Sequence, residues 1–524
     1  MNYHTLFIGG GINNLVAAAL LAKKGKSVLV VERTDQLGGC IRSEELEGCT
    51  IDTLSTAYPL FVTAPAFELL KADLAAEGVE FIASTTPTAT VMSDKQFSIV
   101  TTDREKNCTT FNALHPGDGD NFRAQIAVIE QNAPLLFALL GQELQTRSMG
   151  KLLLKTVWKK GLKASLDLLG VLLPSVRNDF PNHFRSKQLQ ALWAPWILHV
   201  GMAPESPFSA TMAKIVAFTL ELVGLPLVKG GSYKIVEAFK NIIEKNGGKC
   251  LLNTHIEKVL TDRNKAIGAR SKVGQVFQST HVVASVTPNQ LYNMLLKDPY
   301  LILKTVKSQT ENYKYGMGNM QIHLVLKEKP KWFDEALSTV TYTHFSDGID
   351  AVSKAVNQAK RQILPDQPTI CVAQPTAVDP SRATANKHVL WIQLPECPNY
   401  PKGDAAAQLN DLCQGTWTEE LNNAYAERVL GILALYVENI KTACIHKKVI
   451  SPKALSELNI NLKHGDPYGG ACDLDQYLLW RPLHSVKNHE TPVKNLYHSG
   501  ASTHPGPGLS GGSGFLVAQQ LMKK

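Results

Sequence analysis

The apolar positions nearest the N-terminus predict a strand, a turn, a helix and a second strand. Thr5–Ile8 (TLFI) is a short apolar run, the mark of a parallel strand buried on both faces. Gly9-Gly10-Gly11 breaks it, Leu15–Lys24 resumes with alanine- and leucine-rich helical character, and Gly25 caps that helix. Ser27–Val31 is a second apolar run that ends at Glu32. Further along, the helical period dominates from Phe122 to about Leu222, after the turn-rich loop His115–Asp120 (HPGDGD). Leu227–Leu260 reads as a loop, a helix, a Gly-Gly stop and a strand pair, and His281–Pro288 as another buried strand. From Tyr292 to about Ile460 strands and helices mix, with a long helix expected over Ala426–Thr442. Asn495–His498 is a last strand, followed by a glycine-rich loop and a terminal helix. No internal repeat and no low-complexity tract interrupts this order.

A strand, a Gly-x-Gly turn, a helix and an acid closing the next strand form the βαβ unit that binds a dinucleotide. Gly9 permits the tight turn, Gly11 lets the backbone approach a pyrophosphate, and the helix N-terminus offers unpaired N–H groups to the phosphates. The third glycine of the usual pattern is Asn14 here, a small polar side chain. Glu32, eighteen residues after Asn14, can accept a hydrogen bond from a ribose hydroxyl. An acid there suits FAD or NAD better than NADP. Gly38-Gly39, then Arg42 and Ser43, supply a second close approach of backbone and cation just beyond the unit.

Composition narrows the class. With 524 residues, 44% hydrophobic and 19% charged, the chain has the make-up of a soluble globular enzyme of about three structural units. The net charge of +8 is spread without a dense Lys/Arg block, so no nucleic acid is expected as a partner. Nine scattered cysteines, with no CxxC pair and no His/Cys cluster at ligand spacing, point to free thiols, a reducing compartment and no metal. The first strand begins too early for a preceding signal peptide, and no uninterrupted apolar stretch reaches the length of a membrane span. The expected address is therefore cytoplasmic. Met149–Val176 interleaves Lys151, Lys155, Lys159, Lys160 and Lys163 with leucines and Trp158. Such a helix either lies in a membrane interface or packs its leucines on its own protein.

The C-terminal sequence Gly506–Gly511 is formally a second GxGxxG, but the thirteen residues after it allow a helix and no second βαβ unit. A helix N-terminus at that point can meet negative charge on a ligand. Taken with FIGGGINNLVAAALLAKKG, LGGCIRSEEL, DTLSTAYPL, HPGDGD, LVKGGS, SVTP, LDQYLLWRP and SGASTHPGPGLSGGSG, in that order along nearly the whole chain, it completes a resemblance. The sequence resembles the phytoene desaturase/carotenoid isomerase-like group of FAD-dependent oxidoreductases, in the branch of NAD(P)/FAD-dependent oxidoreductases.

That resemblance implies an α/β, two-dinucleotide-binding-domain flavoprotein with a Rossmann-like FAD domain and an inserted α+β substrate domain. The FAD domain would comprise 1–110, 226–290 and 465–524, and the substrate domain 111–225 and 291–464. Gly9, Gly11 and Asn14 would approach the pyrophosphate and Glu32 the adenosine ribose. Arg33, Gly38, Gly39, Arg42 and Ser43 would lie along the cofactor, and Val259 at the adenine. Gly500, Gly508, Leu509 and Gly511 would hold the flavin end. The implied chemistry is hydride transfer from a hydrophobic, polyene- or lipid-like substrate to flavin N5, with oxygen, quinone or nicotinamide as the final acceptor. His504, Arg481 and His199 are the candidates for a direct chemical role, each with an ordinary structural alternative. A redox-neutral isomerase, an amine-oxidase-like enzyme and a non-catalytic FAD-binding partner protein stay open. A disulfide reductase is disfavoured, because its CxxxxC motif is missing.

Overall fold

A computed structural model describes residues 2–384 and 386–523. Strand β1 (Asn2–Ile8), helix α1 (Ile12–Ala22) and strand β2 (Val28–Val31) form the expected βαβ unit, β1 and β2 pairing in parallel from Thr5↔Val28 to Ile8↔Val31. Side chains of β1 alternate between two apolar layers. Phe7 meets α1 and the helix Tyr233–Lys245, while Leu6 and Ile8 pack with Tyr292 and Leu295 on the opposite face. Burial on both sides explains why the run is continuously apolar.

The sheet has seven strands, ordered Ile256–Asp262, Lys265–Ser271, Val276–Ser285, β1, β2 and Lys249–Leu251, with Leu496–Ser499 added to Val276–Ser285. The long strand Val276–Ser285 therefore serves two partners on one edge. Its first half pairs antiparallel with Lys265–Ser271, and its last four residues run parallel to Leu496–Ser499. Three separated stretches of chain thus return to one sheet. The terminal helix Gly512–Met522 docks on α1, where a Cβ on Gly514 would lie 1.7 Å from the Asn13 carbonyl oxygen.

A second seven-stranded sheet has the order Cys444–Ile450, Gly318–Leu326, His388–Cys397, Ile370–Ala373, Tyr342–Phe345, Thr88–Val91 and Phe97–Val100. Helix Glu419–Leu433 contributes Leu421, Tyr425 and Val429 to the core on one face. The helical region, from Arg104–Leu114 to Ser209–Val223, packs against the other.

Four expectations are corrected. Strands Thr88–Val91 and Phe97–Val100, assigned above to the 1–110 segment of the FAD domain, belong to the second sheet through Tyr342↔Thr88 and its neighbours. The helix expected over Ala426–Thr442 is Glu419–Leu433, opened by the Thr418 hydroxyl accepting from the Leu421 N–H. Met149–Val176 is not one helix. Arg147–Lys160 and Leu162–Leu172 meet at Gly161, whose φ of 83° breaks the helix there. Asp118–Gly141 is long and apolar enough to cross a membrane by length and composition alone, although Phe122, Ile126 and Ile129 on it are buried in the protein core.

A buried ion network joins the chain segments around residues 52, 228 and 379. The Arg382 guanidinium donates to Asp52 Oδ2 at 2.5 Å, to Asp379 Oδ2 at 3.1 Å and to the Val228 carbonyl at 2.6 Å. Asp52 also accepts from the Ser43 and Thr56 hydroxyls and the Ser232 N–H. Arg382→Leu would leave two buried carboxylates without their cation, so denaturant unfolding should show a loss of about 3–5 kcal/mol. A loss within experimental error would mean that these segments are held together without this network.

Candidate functional site

The chain turns at Gly9, where φ is 92°, and α1 begins three residues later with Gly11 as its N-cap. A Cβ on Gly11 would meet nothing within 4 Å, so empty space faces this backbone. Gly38 bridges to Gly11 and donates its N–H to the Gly10 carbonyl at 2.8 Å, which sets the second glycine pair against the first. A cavity of about 790 Å³ opens there. Its walls come from three stretches of sequence, near residues 8–42, 254–307 and 458–509.

The sequence-predicted residues divide into two groups. Gly9, Gly11, Glu32, Arg33, Gly38, Gly39, Arg42, Gly500 and Leu509 all line the cavity. Asn14, Ser43, Val259, Gly508 and Gly511 do not, and each has another task. Asn14 is buried, its amide donating to the Ile8 and Gly9 carbonyls at 3.0 and 2.8 Å and accepting from Ser499 Oγ at 2.7 Å. Ser43 is bound to Asp52 in the Arg382 network. Val259 is a core residue, and its strand reaches the cavity through Ile256 and Glu257 instead. Gly508 and Gly511 give room to Leu60 and Val16, which a Cβ would approach to 2.6 and 2.7 Å.

Glu32 sits at the end of β2 as expected. Its Oε2 accepts from the Gly10 N–H at 2.8 Å, and Oε1 accepts from the Thr34 N–H and hydroxyl at 2.9 and 3.0 Å. A carboxylate offers about four lone-pair sites, so one acceptor position remains for a ligand hydroxyl. Across the cavity, Asn461 Oδ1 and the Tyr292 hydroxyl are buried without a protein partner. A glycine cradle open to space, an acid with spare acceptor capacity and orphaned polar atoms fit a ligand that carries phosphate and hydroxyl groups.

The loop before the terminal helix is fixed from several sides. Ser513 Oγ accepts from the Gly500 N–H at 3.0 Å and is 2.7 Å from Thr503 Oγ1. Arg481 is 2% exposed and lies outside the cavity lining, a correction to its candidacy for chemistry. Its guanidinium donates to the carbonyls of Tyr468, Ala471, Gln476 and Ala501, tying the loop to the segment before it. His504 is likewise buried and away from the cavity, with burial pushing its ring down to about 4 and His489 reinforcing that direction. His489 Nδ1 lies 2.6 Å from Glu143 Oε1, and its Nε2 lies 2.8 Å from the His504 carbonyl. Both ring nitrogens of His489 thus face protein acceptors. Burial raises the Glu143 carboxyl, but the His489 charge and hydrogen bonds outweigh that and hold it below the usual range.

His199 lies elsewhere again, on the short helix Pro195–Val200, with Nε2 2.9 Å from His344 Nε2. One donor atom each from His199, His344 and Cys371 falls within 4.8 Å of the others. The reading of no metal-ligand cluster is thereby corrected in geometry. The three residues are 145 and 27 positions apart, a separation no spacing rule detects. The sequence signal for Ser499, Ser513 and Gly514 was present in the SG…SGGSG run, whereas Arg382, Asp379 and Glu143 lay in stretches without a motif.

Residues 8–72 match the model of an NAD(P)-binding Rossmann-like domain. A 4,4'-diapophytoene desaturase of Methylomonas sp. is 24% identical over 97% of this chain and 92% of its own length. A phytoene desaturase of Neurospora crassa is 26% identical over 99% of this chain and 84% of its own. Over nearly its whole length the chain is similar to these phytoene and diapophytoene desaturases. Its fold is shared with a solved oxidoreductase from Methanosarcina mazei, at a TM-score of 0.61 and 17% identity over 99% of this chain and 100% of that one.

Two other buried histidines also weaken the fold in acid. Burial lowers His323 and His498 from the ordinary 6.5 to about 4, opposed by hydrogen bonds to the Thr53 and Val286 carbonyls. The unfolded chain takes up these protons first, so stability is complete above pH 6.5 and is lost as pH falls towards 4. By pH 5 each histidine should account for about 2 kcal/mol of lost stability. Urea unfolding at pH 7.5 and pH 5 measures this, and equal midpoints would contradict it.

Proposed function

We propose that this chain is an FAD-dependent desaturase that withdraws hydride from a hydrophobic, polyene- or lipid-like substrate, working in the cytoplasm at a membrane surface. The observation that carries the cofactor assignment is the convergence of the Gly9–Gly11 turn, Glu32 and Gly500 on one cavity of about 790 Å³. The unphosphorylated ribose is favoured because Glu32 would repel a 2'-phosphate. When bound, FAD supplies a hydride acceptor at flavin N5.

The chain's own residues orient and hold. Gly11 and the first turn of α1 present backbone N–H groups to a diphosphate without a side chain in the way. Glu32 accepts from a ribose hydroxyl with its remaining lone pair. Asn461 Oδ1 and the Tyr292 hydroxyl, both without protein partners, meet further polar groups of the ligand. Arg481 and the His489–Glu143 pair keep the loop 500–506 in place from behind, which makes them positioning residues.

The apolar substrate and the membrane setting rest on the helices Arg147–Lys160 and Leu162–Leu172. Trp158 is 85% exposed, Leu154 71% and Leu162 66%. Lys151, Lys155, Lys159, Lys160 and Lys163 are exposed beside them. Apolar side chains inserted among acyl chains with lysines at anionic headgroups are the chemistry of an interfacial helix. All nine cysteines are free, in keeping with a reducing compartment.

Purified protein should carry a flavin spectrum and release FAD, and Glu32→Arg should lower flavin retention at least tenfold. Colourless protein that cannot be reconstituted with FAD would overturn the assignment. Anaerobic bleaching by a polyene or lipid, followed by recovery with oxygen, quinone or nicotinamide, tests the substrate class and identifies the acceptor. Bleaching by amines alone would favour an amine oxidase. Leu154→Asp with Trp158→Asp should abolish co-sedimentation with phosphatidylglycerol vesicles while leaving the flavin bound. Undiminished sedimentation would remove the membrane from the proposal.

A further inference from the structure

We propose that His199, His344 and Cys371 bind one transition-metal ion of the zinc class, at the seam between the helical region and the second sheet. His344 and Cys371 are direct register partners on adjacent antiparallel strands, Tyr342–Phe345 and Ile370–Ala373, so their side chains leave the same face side by side. His199 approaches that face from the helix Pro195–Val200. The three donor atoms come from three elements of regular structure and lie within 4.8 Å of one another. Ligand atoms around a tetrahedral zinc ion are about 3.3–3.6 Å apart, as bond lengths of about 2.0–2.3 Å require. The Nε2–Nε2 separation of 2.9 Å is close to that, and a small opening of the imidazole pair admits an ion.

Two imidazoles and one thiolate are a nitrogen and sulfur set that selects zinc or copper(I) over magnesium or calcium. His344 and Cys371 are buried, and Trp196 and Tyr342 lie against the imidazoles at ring distances of 4.9–6.2 Å. In so apolar a setting an ion–thiolate pair is strong. Burial keeps both imidazoles neutral, His199 at about 4 and His344 well below its ordinary value, so neither needs to lose a charge before binding. Burial also keeps the Cys371 thiol protonated at neutral pH.

The proton balance follows. The hydrogen now shared between the two Nε2 atoms moves to the Nδ1 of the ring that carries it, which frees both Nε2 lone pairs. His344 Nδ1, buried and without a hydrogen bond, has room for it. The ion displaces the Sγ proton of Cys371, so binding releases one proton per ion. No residue of the proposed flavin cradle takes part, and this site stands or falls independently of it.

The test uses the full-length, flavin-containing protein, dialysed against chelator and titrated with Zn²⁺ by calorimetry in two buffers of different ionisation enthalpy. One equivalent of Zn²⁺ should bind with release of one proton, and Mg²⁺ should give no signal. His344→Ala and Cys371→Ser should each weaken binding at least a hundredfold. Zinc-edge X-ray absorption of the wild-type protein should show two imidazoles and one sulfur, a readout that does not depend on the variants folding. Absence of micromolar binding overturns the site. Wild-type binding in both variants, or a shell lacking sulfur, assigns the zinc to other groups and overturns it equally.

Discussion

The cofactor cradle depends on a single buried amide. At the end of β1 the chain abandons strand pairing to turn towards the cavity, which leaves the Ile8 and Gly9 carbonyls needing donors in a place without solvent. Asn14 supplies both, and its own oxygen takes the Ser499 hydroxyl from a strand 485 residues later. An unmet polar group at such depth costs free energy comparable to a lost hydrogen bond or more. The same side chain therefore completes the turn and locks the last strand against the first. A glycine at this position would permit the turn but leave both carbonyls to other donors.

Charges buried elsewhere follow the same logic on a larger scale. Arg382 unites segments around residues 52, 228 and 379, and Arg481 gathers four backbone carbonyls around the loop at Ala501. Neither cation touches the cavity. Each converts a junction between chain segments that apolar packing would leave free to slide into one with fixed hydrogen-bond geometry. The cavity walls come from three stretches of sequence, so their relative positions are only as definite as these junctions.

The βαβ unit and its acid were legible because each property is local: a strand shorter than a turn of chain, a glycine turn and an acid at the end of the next strand. The two glycine pairs and Leu509 were reachable for the same reason. Ser43 was misplaced by one step, since neighbouring residues on a strand point to opposite sides and Arg42 lines the cavity, whereas Val259 sits further along its strand than Ile256 and Glu257, which reach it. Strands Thr88–Val91 and Phe97–Val100 were assigned to the wrong sheet because their partner, Tyr342–Phe345, lies some 250 residues on and their own sequence does not name it. The histidine–cysteine cluster was invisible for that reason too. His504 and Arg481 drew attention through their motifs, and those motifs serve the loop's architecture.

The strand Val276–Ser285 carries a consequence for how the protein comes into being. Half of one edge is satisfied by the hairpin that precedes it, but the half beside the cavity stays open until Leu496–Ser499 arrives. On a ribosome, more than two hundred residues are made in the interval. During that time the nascent first sheet exposes unpaired backbone next to an unfinished pocket, and Gly500, Ser513 and Gly514 do not yet exist to close it. Completion of the cavity is thus a late event in biogenesis, and until it happens the open edge invites association.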